Sequence, residues 1–156
     1  MAKEIERKFL VEGEEFKSAA GGINCRQGYL STVRERTVRV RTIGNEGFLT
    51  IKGISAGASR DEYEYKIPAA DANEMIDNLC EKPIVEKKRY KITQGKHTWE
   101  IDEFLGVNLG LIVAEIELGA ENEKFEKPSW IGKEVTGDPK YFNSNLIKNP
   151  FSTWNK

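Results

Sequence analysis

The chain opens with Glu4-Ile5-Glu6-Arg7-Lys8, two carboxylates and an ammonium at every second residue. In a strand, side chains alternate faces, so Glu4, Glu6 and Lys8 share one. Like charges spaced in this way sit about 6–7 Å apart, given a rise of about 3.3 Å per residue. At an effective dielectric near 20 they repel by on the order of 2–3 kcal/mol. A cation between the carboxylates offsets that cost. Hard divalent ions accept carboxylate oxygens and keep positions for water and phosphate. The competing reading of the motif alone is an edge strand whose charges face water. Other strands decide between the two.

The pattern recurs. Arg39 and Arg41 share a face opposite Val38 and Val40, and Thr50 and Lys52 oppose Leu49 and Ile51. Glu62, Glu64 and Lys66 oppose Tyr63, Tyr65 and Ile67. Lys87, Arg89 and Lys91 alternate with Lys88, Tyr90 and Ile92. Glu100 and Asp102 oppose Trp99 and Ile101, and Glu115 and Glu117 oppose Ala114, Ile116 and Leu118. A merely solvated face would mix signs and neutral polar residues within each strand. Here acidic strands (Glu4/Glu6, Glu62/Glu64, Glu115/Glu117) are segregated from basic ones (Arg39/Arg41, Lys87/Arg89). If these faces line a barrel, the acidic strands suit a metal and the basic strands a multiply charged anion. Arg39 and Arg41 offer bidentate forks, while Lys8, Lys52 and Lys87 offer point charges.

These charged residues require a framework of strands. Residues 3–11, 25–32, 35–43, 48–53, 60–67, 84–93, 97–104 and 111–119 read as strands separated by Gly or Asn turns, with Gly44-Asn45-Glu46-Gly47 as a hairpin turn. Residues 70–80 change period: Ala72, Met75, Ile76, Leu79 and Cys80 share a helical face, with Asp71 or Ala70 near the N-cap. The tail, 120–156, brings Trp130, Tyr141, Phe142, Leu146 and Trp154 to cover an apolar surface. Many strands and one clear helix predict an antiparallel sheet, closed or strongly curved, which removes exposed edges.

Composition narrows the function. The 156 residues carry 24 basic and 25 acidic side chains, a net charge of −1, which argues against non-specific nucleic-acid binding. Cys25 and Cys80 lack metal-ligand spacing and fit free thiols in a reducing cytoplasm. No signal peptide or membrane span is legible. The single histidine, His97, lies by the turn-like Gln94-Gly95-Lys96, so a histidine-rich zinc site or a serine–histidine triad is not expected.

The whole constellation resembles the CYTH superfamily, the triphosphate tunnel metalloenzymes. The opening ExExK motif is followed in order by Arg39-Val40-Arg41, Thr50-Ile51-Lys52, Arg60-Asp61-Glu62-Tyr63-Glu64 and Lys87-Lys88-Arg89. Trp99-Glu100-Ile101-Asp102, Ala114-Glu115-Ile116-Glu117-Leu118 and the tail Glu134-Val135-Thr136-Gly137-Asp138 with Tyr141 and Asn145-Leu146 complete it.

The resemblance implies an α+β fold over 1–156 as a single CYTH domain: a closed antiparallel barrel of about eight strands with helices outside. It implies Glu4, Glu6, Glu115 and Glu117 as ligands of Mg²⁺ or Mn²⁺, with Glu62 or Glu64 as a further one. Lys8, Arg39, Arg41, Lys52, Lys87 and Arg89 would bind the triphosphate, and Lys8 and Asp102 would belong to the catalytic set. The implied activity is metal-dependent hydrolysis of a triphosphate, foremost inorganic tripolyphosphate. Alternatives are a class IV-type adenylate cyclase, a thiamine triphosphatase, or a non-catalytic polyphosphate-binding module. The expected partner is the small-molecule substrate, without nucleic acid or membrane, and a homodimer is compatible with the sequence. Lys66 and Lys91, near strand ends, are expected to be solvated.

Overall fold

The computed structural model describes residues 3–154; residues 1, 2, 155 and 156 of the expected domain lie outside the described residues. The strands are β1 (Lys3–Val11), β2 (Ile23–Ser31), β3 (Thr37–Ile43), β4 (Glu46–Lys52) and β5 (Ser59–Ile67). They continue as β6 (Val85–Gln94), β7 (His97–Phe104), β8 (Ile112–Glu117) and β9 (Ile131–Glu134). Their order is β5-β4-β3-β2-β6-β7-β8-β1-β9, and an antiparallel β5–β1 pairing closes the first eight into a barrel. β9 lies outside the ring on β1. Among the described residues there are three α-helices, α1 (Phe16–Ala19), α2 (Ala69–Asn78) and α3 (Asn143–Leu146), and three single-turn 3-10 helices.

Local chemistry explains the departures from the sequence reading. The turn before β4 is only Gly44-Asn45, because Ile43 already pairs with Glu46 and Gly44 adopts φ +57°. The expected strand therefore starts two residues early. Pro68 occupies the N-cap of α2, where its φ of −57° suits a helix start and its missing N–H costs nothing. Asp71 sits in the first turn, where its charge meets the positive end of the helix dipole. Leu79 falls just past the helix and is exposed rather than on its apolar face. β9 was not anticipated, because its Ile131-Gly132-Lys133-Glu134 carries too little alternation.

The apolar faces point outward. Phe9, Tyr90, Trp99, Ile101, Ala114 and Ile116 cluster on the outside of β1, β6, β7 and β8, covered by Phe16 of α1 and by Trp130 from the tail. Trp99 meets Phe9 and Trp130 edge-to-face at 5.7 and 5.8 Å between ring centroids. Ala72 and Ile76 of α2 pack on Val40. One end of the barrel interior is also apolar. Val85, Phe104 and Val113 share the inward parity of Lys87, Asp102 and Glu115, and there they meet Tyr29 and the tail's Leu146 and Ile147. The tail thus has two jobs, covering the outer core through Trp130 and plugging one barrel end through α3.

Candidate active site

The plug leaves a cavity of about 370 Å³ inside the barrel. It is lined by Glu4, Glu6, Lys8, Arg39, Arg41, Lys52, Glu62, Glu64, Arg89, Glu115 and Glu117. Strand order sorts these by sign. β8, β1 and β5 are consecutive and bring the glutamates together, while β3, β2 and β6 are consecutive and bring the arginines together. The cavity has an acidic wall and a basic wall.

On the basic wall, Arg39 is 7% exposed, and the Nε atoms of Arg39 and Arg41 have no protein partner. Buried donors of this kind cost free energy unless a ligand completes them. Glu64 leans towards these arginines: it accepts from Arg41 at 3.0 Å and from Thr50 at 2.8 Å, and lies 3.7 Å from Arg39. Burial raises its carboxyl, but Arg41 and the Thr50 bond outweigh that and lower it.

On the acidic wall the carboxylates meet in pairs. Register sets Glu6 beside Glu117 and Lys8 beside Glu115. Glu6 and Glu115 also oppose each other as like charges. Burial, then the Glu115 charge, pushes the Glu6 carboxyl well above its ordinary range. Burial raises Glu115 as well, but the Lys8 and Arg89 charges hold it well below. Lys52 bridges Glu4 at 3.1 Å and Glu62 at 3.2 Å. Burial is also the main cause of the upward shifts of Glu62 and Glu117.

A wall of crowded carboxylates, where burial and mutual repulsion disfavour the charged forms of Glu6, Glu62 and Glu117, fits a hard divalent cation that would offset their charge. The donor set is entirely carboxylate oxygen. Among the described residues, no three such groups stand close enough to form a finished ligand set as they are.

Lys87 and Asp102 do not line the cavity, contrary to the expectation of ligand-facing groups. Both are 1% exposed, and they form a triad with Arg89. Asp102 takes Lys87 Nζ at 2.7 Å, Arg89 Nε at 2.8 Å and Arg89 Nη2 at 2.9 Å. The cause is register: Arg89 lies opposite Asp102, so two adjacent cations of β6 share one anion. Burial raises the Asp102 carboxyl, but Arg89 and Lys87 outweigh it and hold it at about 2. One carboxylate cannot neutralise both cations. Burial accordingly pulls Lys87 down to about 8, against the opposing pull of Asp102.

Other placements follow. Lys66 is exposed and pairs with Glu46 at 2.7 Å, and Lys91, also exposed, stands at the cavity mouth 3.7 Å from Glu100. Tyr29 is buried and contributes to the cavity wall. His97 begins β7 and holds Glu123 at 2.6 Å, and it borders a second cavity together with Glu6, Glu100, Glu115 and Glu117. Sequence reasoning left out Arg60 and Glu100, which line the cavity two residues from Glu62 and Asp102. Strand parity could have found both. Thr136, Gly137, Phe142, Asn143 and Ser144 also line it, brought there by the tail, where no alternation of charge marks them.

Fold and cavity together define a closed barrel whose tunnel sets an acidic wall against a basic one. The comparisons with known proteins agree. A CYTH domain model matches residues 2–146. The chain is 56% identical over 154 residues to an inorganic triphosphatase of Acetivibrio thermocellus, covering 99% of each chain. It is 39% identical over 152 residues to an inorganic triphosphatase of Nitrosomonas europaea, covering 92% of this chain and 95% of the relative. A crystal structure of an inorganic triphosphatase matches with a TM-score of 0.63 at 35% identity, covering 94% of this chain and 95% of that one. The chain belongs to the CYTH family.

Proposed function

We propose that this protein hydrolyses inorganic triphosphate to pyrophosphate and phosphate with the help of Mg²⁺ or Mn²⁺. The observation that carries the reading is the acidic wall facing the basic wall within one cavity of a closed barrel. An anion binder alone would gain nothing from Glu4, Glu6, Glu62, Glu115 and Glu117. The two inorganic triphosphatases similar over nearly the full chain support the same reading.

A triphosphate carries about four or five negative charges near neutral pH. Arg39 and Arg41, with their free Nε donors, grip one part of the chain, and Lys8, Lys52 and Arg89 neutralise the rest. Glu4, Glu6, Glu62, Glu115 and Glu117 would hold the divalent ion. Glu62 suits this role better than Glu64, because it faces Glu4 and Lys52 while Glu64 is taken by arginines. When bound, the ion would offset charge on the phosphate oxygens as the anhydride bond breaks. Asp102 and Lys87 act from beneath the wall, where Asp102 fixes the guanidinium plane of Arg89. Catalysis then rests on positioning and electrostatics within a confined site.

No helix among the described residues is long and apolar enough to cross a membrane. The unpaired, buried thiols of Cys25 and Cys80 support a cytoplasmic setting. The plug and outer core tie the tail to the barrel, which supports one CYTH domain over the chain. The deciding experiment compares phosphate release from tripolyphosphate, thiamine triphosphate and ATP, with cyclic AMP measured alongside, in Mg²⁺ and in Mn²⁺. Tripolyphosphate should be the preferred substrate. Cyclic AMP formation, or faster turnover of ATP or thiamine triphosphate, would overturn the proposal.

A further inference from the structure

The tail sequence Glu134-Val135-Thr136-Gly137-Asp138 brings Thr136 and Gly137 to the cavity wall and bonds there to Lys8. The barrel closes over only three pairs: Lys3–Asp61, Glu4–Arg60 and Ile5–Ser59. One more bond, from the Glu6 N–H to the Ala58 carbonyl at 3.0 Å, ends the contact with that neighbour. Farther along the same edge, pairing with β9 begins at Phe9. Lys8 falls in the gap, where its backbone donor and acceptor still need partners.

The tail supplies them. The Lys8 N–H donates to Thr136 Oγ1 at 2.9 Å, and the Val135 N–H donates to the Lys8 carbonyl at 2.8 Å. The Lys8 ammonium donates to the Tyr141 carbonyl at 3.1 Å. A hydroxyl thus stands in for a missing rung of the sheet.

That hydroxyl is itself oriented. Its single hydrogen favours Glu134 Oε2 at 2.6 Å over the Lys8 carbonyl at 3.4 Å, which leaves its lone pairs for the Lys8 N–H. Glu134 is held by both arms of Arg7, Nε at 2.8 Å and Nη2 at 2.6 Å. Arg7 lies between Glu6 and Lys8 and, by alternation, points out of the barrel. A bidentate pair on the outside of the wall therefore sets a hydrogen bond to a residue whose side chain is inside it.

We infer that Thr136, oriented by the Arg7–Glu134 pair, is a positioning residue that fixes Lys8 for the polyanion. The inference rests on the proposed triphosphate-binding role of the tunnel. Thr136→Val keeps the shape of the side chain but removes the acceptor from Lys8 and the donor from Glu134. Lys8 carries its charge on a flexible four-carbon stem, so a loosened backbone spreads the position of the ammonium.

The test has two readouts in the full-length protein. Hydrogen exchange at the Lys8 amide reports the clamp, and calorimetric binding of tripolyphosphate in metal-free buffer reports its consequence. Thr136→Val should speed Lys8 exchange and weaken binding by about three- to tenfold, the effect of one lost hydrogen bond. Thr136→Ser should restore both. In a Lys8→Met background, Thr136→Val should leave binding unchanged. Glu134→Gln, which keeps the backbone contact, should give a smaller effect in the same direction. Unchanged Lys8 exchange, or equal weakening with and without Lys8, overturns the inference. Failure of the native protein to bind tripolyphosphate, with Lys8 exchange still controlled by Thr136, refutes the functional reading and leaves the clamp standing.

Discussion

Replacing Asp102 by alanine should be among the most damaging single changes to the stability of this barrel. The Asp102 carboxylate accepts three bonds, at 2.7, 2.8 and 2.9 Å, from Lys87 and Arg89. All three residues are nearly inaccessible to water. Removing one partner of a buried ion pair costs about 3–5 kcal/mol, because the other charge is stranded. In a domain of this size, that corresponds to a fall in Tm on the order of 6–20 °C. Two cations lose this partner, and they respond differently: Arg89 keeps Glu100 at 3.5 Å and Glu115 at 3.8 Å, whereas Lys87 loses its only ion-pair partner among the described residues. Arg89 stays charged. Lys87, already pulled down to about 8, can lose its proton.

The assay is urea unfolding followed by circular dichroism, as a function of pH. The Asp102 carboxyl lies at about 2 in the folded protein, below its ordinary 3.8. Its contribution is complete above 3.8 and disappears as pH falls towards 2, so native and Asp102→Ala curves should converge in that window. Lys87 behaves oppositely at the alkaline side. Its folded value of about 8 lies below 10.5, so the unfolded state binds more protons between these values and stability rises with pH. Without Asp102 that rise should begin below pH 8. Adding Lys87→Met should recover part of the loss, with a coupling of about 1 kcal/mol or more. A loss under about 1 kcal/mol for Asp102→Ala, or strictly additive effects, would refute the idea that Asp102 neutralises a buried cationic pair.

Two further outcomes concern the cavity. Arg39→Ala should lower kcat/KM on tripolyphosphate by on the order of 10–100-fold, the effect of losing charged hydrogen bonds. Lys91→Ala, at the exposed mouth, should change it less than about threefold; steady-state kinetics on purified variants checks both, and comparable losses would break the distinction between wall and rim. Glu6→Gln should raise the half-saturating Mg²⁺ concentration on the order of tenfold or more, measured by titrating activity after chelation. The same substitution should leave metal-free stability at pH 7 unchanged or higher, because burial already favours the protonated form of Glu6.

Much of the site was legible because strand parity is local. Glu4/Glu6/Lys8, Arg39/Arg41, Glu62/Glu64 and Glu115/Glu117 could be assigned to shared faces from spacing alone, and all of them line the cavity. Sequence cannot show how far along a barrel a face remains solvated. Lys87 and Asp102 have the same parity as their neighbours, but their register with Arg89 buries them against each other. Spacing likewise left Glu62 and Glu64 equivalent, although Thr50 and Arg41 turn Glu64 to the basic wall. The contribution of Thr136 depends on a contact 128 positions away along the chain, which no periodicity encodes.

The amino-acid order by itself determined which face of each strand is charged and what sign it bears, because alternation is a property of a single extended backbone. Only the tertiary structure decided that β8, β1 and β5 are neighbours, and that β3, β2 and β6 are too. Apart from β2–β3, those pairings join strands far apart in the chain, through backbone hydrogen bonds that read no side-chain sign. They turned Glu4-Ile5-Glu6-Arg7-Lys8 from a charged strand into the centre of an acidic wall. They also left the gap at Lys8 that the tail fills.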